Sequence, residues 1–279
     1  MPLGNSKTGK QQSAPLKSMT YDAFKLSQLT ETTRRHMLMS IQGATSSRKS
    51  SFALSAPGAI AVFDHDNGLE YVVDRYSGDK EIFQVTNDDG ENPLAVTPES
   101  DEIKKQAQAD RIWGKVKTTY YEALANPDIK TIVVDTGSHL WEIAQWSEMG
   151  RIAIENADKE NPVLPFHYGE VNQQFRSLFQ QAIRSKKHVI FTHREKEEWS
   201  SKGGTGKMIL HGWKHTLYEV EVALVSSMFG TGSAAVPNIR VAKCRINQGM
   251  EGHTFSGEKE CNFAHIAGKI TGTDEKDWR

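Results

Sequence analysis

Short unbroken apolar runs alternate along this chain with longer segments whose apolar residues return every three or four positions. The unbroken runs are His36-Met37-Leu38-Met39-Ser40-Ile41-Gln42, ending at Gly43, then Ala59-Ile60-Ala61-Val62-Phe63, Thr131-Ile132-Val133-Val134 and His188-Val189-Ile190-Phe191-Thr192. Strands with no polar face belong in a parallel sheet covered on both sides. Lys80 to Val85 predicts one more short strand. A helix is expected to start at Lys49. Ser100 to Ala125 is the longest one, with Ile103, Ala107, Ile112, Val116, Tyr120 and Leu124 at helical spacing and Asn126-Pro127 closing it. His139 to Ala157 and Tyr168 to Arg184 are the other two, joined by the polar connector Asp158 to Pro165. Strand alternating with helix predicts a doubly wound α/β sheet. Val220 to Met228 and Ile239 to Ile246, separated by the turn-rich Gly230 to Asn238, predict an antiparallel extension.

This pattern divides the chain into a polar, disordered lead-in over 1–20, an α/β domain over 21–248 and a polar, Gly-rich C-terminal segment over 249–279. Tyr21 to Arg35 is expected as a short helix or arm. A length of 279 residues suits one large α/β domain with trimmings. Lys+Arg at 34 against Asp+Glu at 35 gives no global basic field, so any nucleic-acid contact must come from a local patch. Cys244 and Cys261 form no CxxC pair, which argues against a zinc site or a disulfide framework. No apolar run approaches the ~18–20 residues that span a bilayer. With no signal-peptide pattern at the start, a cytoplasmic protein is expected.

The first chemistry lies between a buried strand and a helix start: Gly43-Ala44-Thr45-Ser46-Ser47-Arg48-Lys49-Ser50-Ser51. The phosphate-binding pattern G-x-x-x-x-G-K-[ST] wraps phosphates in backbone amides. Its lysine neutralises the β and γ oxygens, and its hydroxyl ligates Mg²⁺. Gly43, Lys49 and Ser50 match these roles, and Arg48 stands where the pattern has its second glycine. In ordinary helical geometry an arginine there costs little; at positive φ it impairs the loop. The bland alternative is a Ser-rich turn that happens to precede a helix.

Three further strand ends carry polar groups. Asp135 follows Thr131 to Val134, as an acid that orders Mg²⁺ would. Asp66, after Val62-Phe63-Asp64-His65, is placed to activate a water, with Asp64 or His65 assisting; the same residues also make good turn chemistry. His193 and Arg194 end the last buried strand and are candidates for sensing a γ-phosphate.

Taken together these motifs resemble the RecA-like ATPases. Gly43 to Ser51 is similar to that family's cradle apart from Arg48, and Phe63-Asp64-His65-Asp66 resembles its strand with the catalytic acid, normally glutamate. Val133-Val134-Asp135-Thr136 resembles its Mg²⁺ strand, and Ile190-Phe191-Thr192-His193-Arg194 the strand leading to its DNA loop. Val241-Ala242-Lys243-Cys244-Arg245 is similar to the Lys-x-Arg strand of compact bacteriophage ATPases of single-strand annealing and recombination. The resemblance covers Met37 to Ile246. It implies a RecA-like P-loop NTPase core, a mostly parallel sheet flanked by helices with a C-terminal antiparallel extension. It also implies ATP and Mg²⁺, single-stranded DNA, a homo-oligomeric ring or filament, and a single-stranded DNA-binding protein as a further partner. Lys243 and Arg245 are then candidates to reach a neighbouring subunit's nucleotide. Arg194 to Lys207 is the candidate DNA loop, with Trp199 to stack on a base and Lys202 and Lys207 to meet phosphates, although Glu195, Glu197 and Glu198 cancel its charge. Two other readings stay open: a degenerate, non-catalytic nucleotide-binding scaffold or DNA-binding module, and a small-substrate kinase. The few arginines after Thr192 disfavour the second.

Overall fold

Each unbroken apolar run becomes a strand that sends alternate side chains to opposite faces of one sheet. The computed structural model describes residues 36–76, 80–86, 96 and 101–278. The lead-in over 1–20 and the expected arm over Tyr21 to Arg35 lie outside them. In chain order the elements begin β1 (Leu38–Gly43), α1 (Lys49–Leu54), β2 (Ala59–Asp64), α2 (Glu70–Val73), β3 (Ile82–Val85) and α3 (Glu102–Ala125). Next come β4 (Ile129–Asp135), α4 (Gly137–Glu155), α5 (Tyr168–Ser185), β5 (His188–Ser200), β6 (Gly203–His211) and α6 (Thr216–Glu219). The last are β7 (Val222–Phe229), β8 (Val236–Cys244), β9 (Thr254–Ser256) and α7 (Phe263–Thr271).

The sheet runs β3-β2-β4-β5-β1-β7-β8-β9, with β6 paired to β5 alone. From β3 to β7 every neighbour is parallel, and β8, β9 and β6 are antiparallel additions. The expected antiparallel extension therefore starts one strand later than the apolar pattern suggests. Val222–Phe229 continues the parallel sheet beside β1, and the reversal comes at the β7–β8 turn.

Period-two alternation divides the core. Ala61, Phe63, Ile132, Val134, Val189 and Phe191 face one side, where Ile112, Trp113, Val116 and Tyr120 of α3, Leu140 and Ile143 of α4 and Phe175, Leu178 and Phe179 of α5 cover them. Ile60, Val62, Val133, Ile190, Met39 and Ile41 face the other side, under Phe52 of α1 and Phe263, Ile266 and Ile270 of α7. The long helix starts where Asp101 accepts hydrogen bonds from the amides of Ile103 and Lys104, at 3.0 and 3.4 Å.

The segment after Gly249, read from sequence only as polar and Gly-rich, contributes β9 to the sheet edge and α7 to the second face. Its apolar residues are few but grouped on one side of a short helix, capped by Asn262, whose side chain accepts from the His265 amide. Among the described residues no helix is long and apolar enough to cross a membrane. The two cysteines are free thiols.

Candidate functional site

The parallel-paired stretches of β1, β2, β4 and β5 end on the same edge, and the residues around those ends meet there. β1 turns at Gly43, which lies in register with Ser226 of β7. A Cβ on Gly43 would stand 2.3 Å from the Ser226 carbonyl oxygen and 2.5 Å from Ser47 Oγ, so only glycine lets the strand reach this turn. The loop then takes two left-handed residues, Ser46 at φ 63° and Arg48 at φ 71°, ψ 21°. Of the two geometries open to Arg48, the structure selects the one that favours glycine. Its guanidinium forms an ion pair with Glu258 at 2.8 Å.

Lys49 folds back over the turn. Its Nζ donates to the carbonyls of Gly43 and Ala44 at 2.9 and 2.7 Å. Burial lowers its pKa, and the nearby carboxylates of Asp135, Asp66 and Glu195 oppose that shift. In the next position Ser50 Oγ donates to Asp135 Oδ2 at 2.6 Å. Thr192, near the end of the parallel-paired part of β5, donates to the other oxygen of the same carboxylate. Asp135 is only 2% exposed, and burial raises its pKa against the pull of those two hydroxyls. Thr192 is a site residue that the sequence offered only as part of a strand. A hydroxyl one position before a polar strand end is the signal that marks it.

Asp64 and Asp135 are register partners on β2 and β4. Burial pushes the Asp64 carboxyl up to about 6, with Asp135 adding to the shift, while Gln84 Nε2 donates to it at 3.2 Å. Asp66 sits two residues on, and Arg194 Nη2 lies 3.3 Å from its Oδ2. Around these groups opens a cavity of about 510 Å³. Thr45 to Ser51, Asp66, Asp135 and Arg194 line it, with Gly68, Val72 and Arg75 beyond them. That volume falls in the range of small-ligand sites.

The two sensor candidates separate. Arg194 reaches the cavity, whereas His193 is fully buried and absent from its walls. Its ring is wedged so tightly against Gly137 that a Cβ there would meet Cε1 at 2.6 Å. Burial pushes its pKa down to about 3. The physical reason is alternation along β5: Thr192 turns to the face where it meets Asp135, so its neighbour must turn into the layer of α3, α4 and α5.

Arg194 to Lys207, expected as a mobile loop, is instead most of an antiparallel hairpin. Strand β5 continues to Ser200, and β6 returns with Trp199 opposite Gly204. Alternating charged side chains suit a two-stranded ribbon exposed on both faces. At its tip Trp199 is 74% exposed and Lys202 is exposed, while Lys207 pairs with Glu198 at 3.2 Å. Lys243 and Arg245, expected to reach a neighbour, donate to carbonyls of their own chain: Lys243 to Leu217 and Val220, Arg245 to Tyr218. Both satisfy the open carbonyls around the short helix α6. Among the described residues no cluster of three or more His, Cys, Asp or Glu could hold a metal by itself. A cation at Ser50 and Asp135 would thus need ligands from elsewhere.

Comparison with known proteins adds four findings. The family described as AAA domain matches residues 35–229. Among solved structures, the RadB recombinase is similar at 15% identity and a TM-score of 0.46, covering 79% of this chain and 86% of that one. A KaiC-like protein from the hyperthermophilic archaeon Pyrococcus horikoshii is similar at 12% identity and a TM-score of 0.39, covering 79% and 84%. No curated protein matches the chain in sequence.

Proposed function

The chain belongs to the AAA-domain family, with a RecA-like P-loop ATPase fold, and from that premise we propose that it binds and slowly hydrolyses ATP with Mg²⁺ while acting on single-stranded DNA. One observation carries the nucleotide half: Lys49, Ser50 and Asp135 converge in the wall of one cavity from two different strand ends, with Ser50 and Asp135 already in hydrogen-bond contact. The residues fit the ligand. The cavity is of nucleotide size, its loop is closed by a glycine that tolerates no Cβ, and one amine and one hydroxyl–carboxylate pair face it.

In this reading the backbone of Gly43 to Ser51 holds the phosphates, and Lys49 exchanges its carbonyl contacts for the β and γ oxygens. Ser50 and Asp135 hold Mg²⁺, with Thr192 fixing the carboxylate from behind. Bound there, Mg²⁺ supplies charge neutralisation at the transferred phosphate. Asp66 orients the attacking water and takes its proton, and Arg194 offers a cation on the same side. Trp199 and Lys202 at the hairpin tip are the contacts proposed for single-stranded DNA, in recombination or replication of the bacteriophage type that the motifs resemble. From the same resemblance we also propose a homo-oligomeric ring or filament, with a single-stranded DNA-binding protein as a further partner.

The test is ATP turnover with and without single-stranded DNA, for the parent and for Lys49→Ala. DNA-stimulated turnover that is lost in Lys49→Ala is expected; no turnover in either condition removes the enzymatic claim. One observation favours the scaffold reading as the alternative. Asp66 is a methylene shorter than glutamate and is neutralised by Arg194. Calorimetric binding of ATP·Mg²⁺ without turnover would select it.

A further inference from the structure

Helix α1, which carries Lys49 and Ser50, is six residues long, and a helix of that length has no stability of its own. Its two ends are held by one stretch of the C-terminal segment. At the first end Glu258 pairs with Arg48 at 2.8 Å. At the other, the Phe263 amide donates to Ser55 Oγ at 2.8 Å, and the Phe263 ring packs on Phe52 at 6.2 Å between centroids. The stretch between them is itself fixed. The Cys261 amide donates to the Gly257 carbonyl at 2.9 Å, and Cys261 Sγ contacts the Pro237 and Phe255 carbonyls. The residues that hold α1, from Gly257 to Phe263, lie outside the region 35–229 that matches the family.

Arg48 gives the arrangement a purpose. It holds a left-handed conformation that opposes an L side chain by roughly 1–2 kcal/mol, and a residue persists there only when its surroundings over-determine it. The loop amide geometry on either side depends on that conformation. We infer that Glu258 is a positioning residue for the nucleotide loop: through Arg48 it holds the left-handed turn that a glycine would adopt unaided. The inference rests on the nucleotide site proposed above. Its consequence is a dependence between two residues far apart in sequence. Glu258 matters only while residue 48 bears a side chain.

The experiment is a double-mutant cycle on full-length protein, read as the Kd of a fluorescent ATP analogue with Mg²⁺, with a thermal midpoint for every variant. Glu258→Gln is expected to weaken binding about three- to fivefold, the equivalent of losing much of the left-handed penalty's compensation. Its midpoint should hardly move, because a partly exposed ion pair contributes little to global stability. In an Arg48→Gly background the same substitution is expected to change the Kd less than about 1.5-fold. Glu258→Asp, which keeps the charge, should recover part of the affinity. An unchanged or tighter Kd for Glu258→Gln, or an equal loss in both backgrounds, overturns the inference. Lys49→Ala separates the two layers. If that variant binds the analogue like the parent, the site reading itself fails; if it loses binding while Glu258→Gln does not, only the positioning role fails.

Discussion

Gly43→Ala is the substitution for which the structure gives the least room. The added Cβ would sit 2.3 Å from the Ser226 carbonyl oxygen, 3.2 Å from its carbon and 2.5 Å from Ser47 Oγ. A relaxed C···O contact is about 3.3 Å, so β1 and β7 must separate by roughly 1 Å at this point or the turn must move. Neither partner can yield easily. Ser226 belongs to a strand paired on both sides, and its own hydroxyl donates to the Ser47 carbonyl within the loop. Overpacking of this kind costs about 1–3 kcal/mol, which for a domain of this size is a fall of about 5 °C in thermal midpoint. A 1 Å misplacement of positioning groups costs on the order of 100-fold in rate, about 2.7 kcal/mol, so ATP turnover should fall by that order and binding of an ATP analogue with Mg²⁺ should weaken with it.

Gly114 provides the internal control. It lies within α3, and a Cβ there would meet nothing within 4 Å. Gly114→Ala should therefore raise stability by about 0.5–1 kcal/mol through the unfolded chain and helix propensity, leaving nucleotide affinity unchanged. Differential scanning fluorimetry and analogue titration of the two variants side by side check both. A Gly43→Ala protein that melts with the parent and binds within twofold of it would refute the steric account of the loop.

Two other predictions concern different parts of the molecule. His188 is buried, its Nδ1 accepts the Met37 amide at 3.2 Å, and burial pushes its pKa from 6.5 down to about 4. The unfolded chain therefore binds this proton more readily than the folded one, so stability is fully present above pH 6.5 and is lost as pH falls toward 4. From pH 7.5 to 5.5 this one group removes about 1.4 kcal/mol. Urea unfolding of the parent and of His188→Gln should converge by that amount, and parallel curves would count against it. At the hairpin tip, Trp199→Ala should weaken single-stranded DNA binding about tenfold, given ~1–3 kcal/mol per stacked base, with thermal midpoint unchanged because the ring is 74% exposed. Equal affinities in a fluorescence-anisotropy titration would move the DNA contact elsewhere.

Most of the sheet was legible because its signal is local. Four apolar runs with no polar face became four adjacent parallel strands, and Asn126-Pro127 ended α3 where it stands in the sequence. Asp135 and Ser50 could be paired in advance because both sit at fixed offsets from such strands. What escaped was set by tertiary context. The charged stretch after Thr192 has the composition of a loop, yet β6 supplies a partner strand for nearly its whole length. His193 has the position of a sensor, yet the pleat directs Thr192 to the carboxylate and His193 into the core. Lys243 and Arg245 look free on an edge strand until the carbonyls around α6 are seen beside them.

Arg48 shows why no local reading could have decided the loop. The residue type is compatible with two backbone conformations that differ in what they do to a phosphate site, and nothing between Gly43 and Ser55 chooses between them. The left-handed one is observed. Its local partner is the Phe52 amide of α1, which donates to the Arg48 carbonyl at 3.0 Å and would do so for any residue at that position. The one contact specific to an arginine side chain among those described here comes from Glu258, in a segment whose own sequence reads as polar and unremarked. A substitution that breaks a motif can thus be offset by a partner outside the motif and outside the family's common core. The loop and the C-terminal turn are then one functional unit, although they are separated by almost the whole domain.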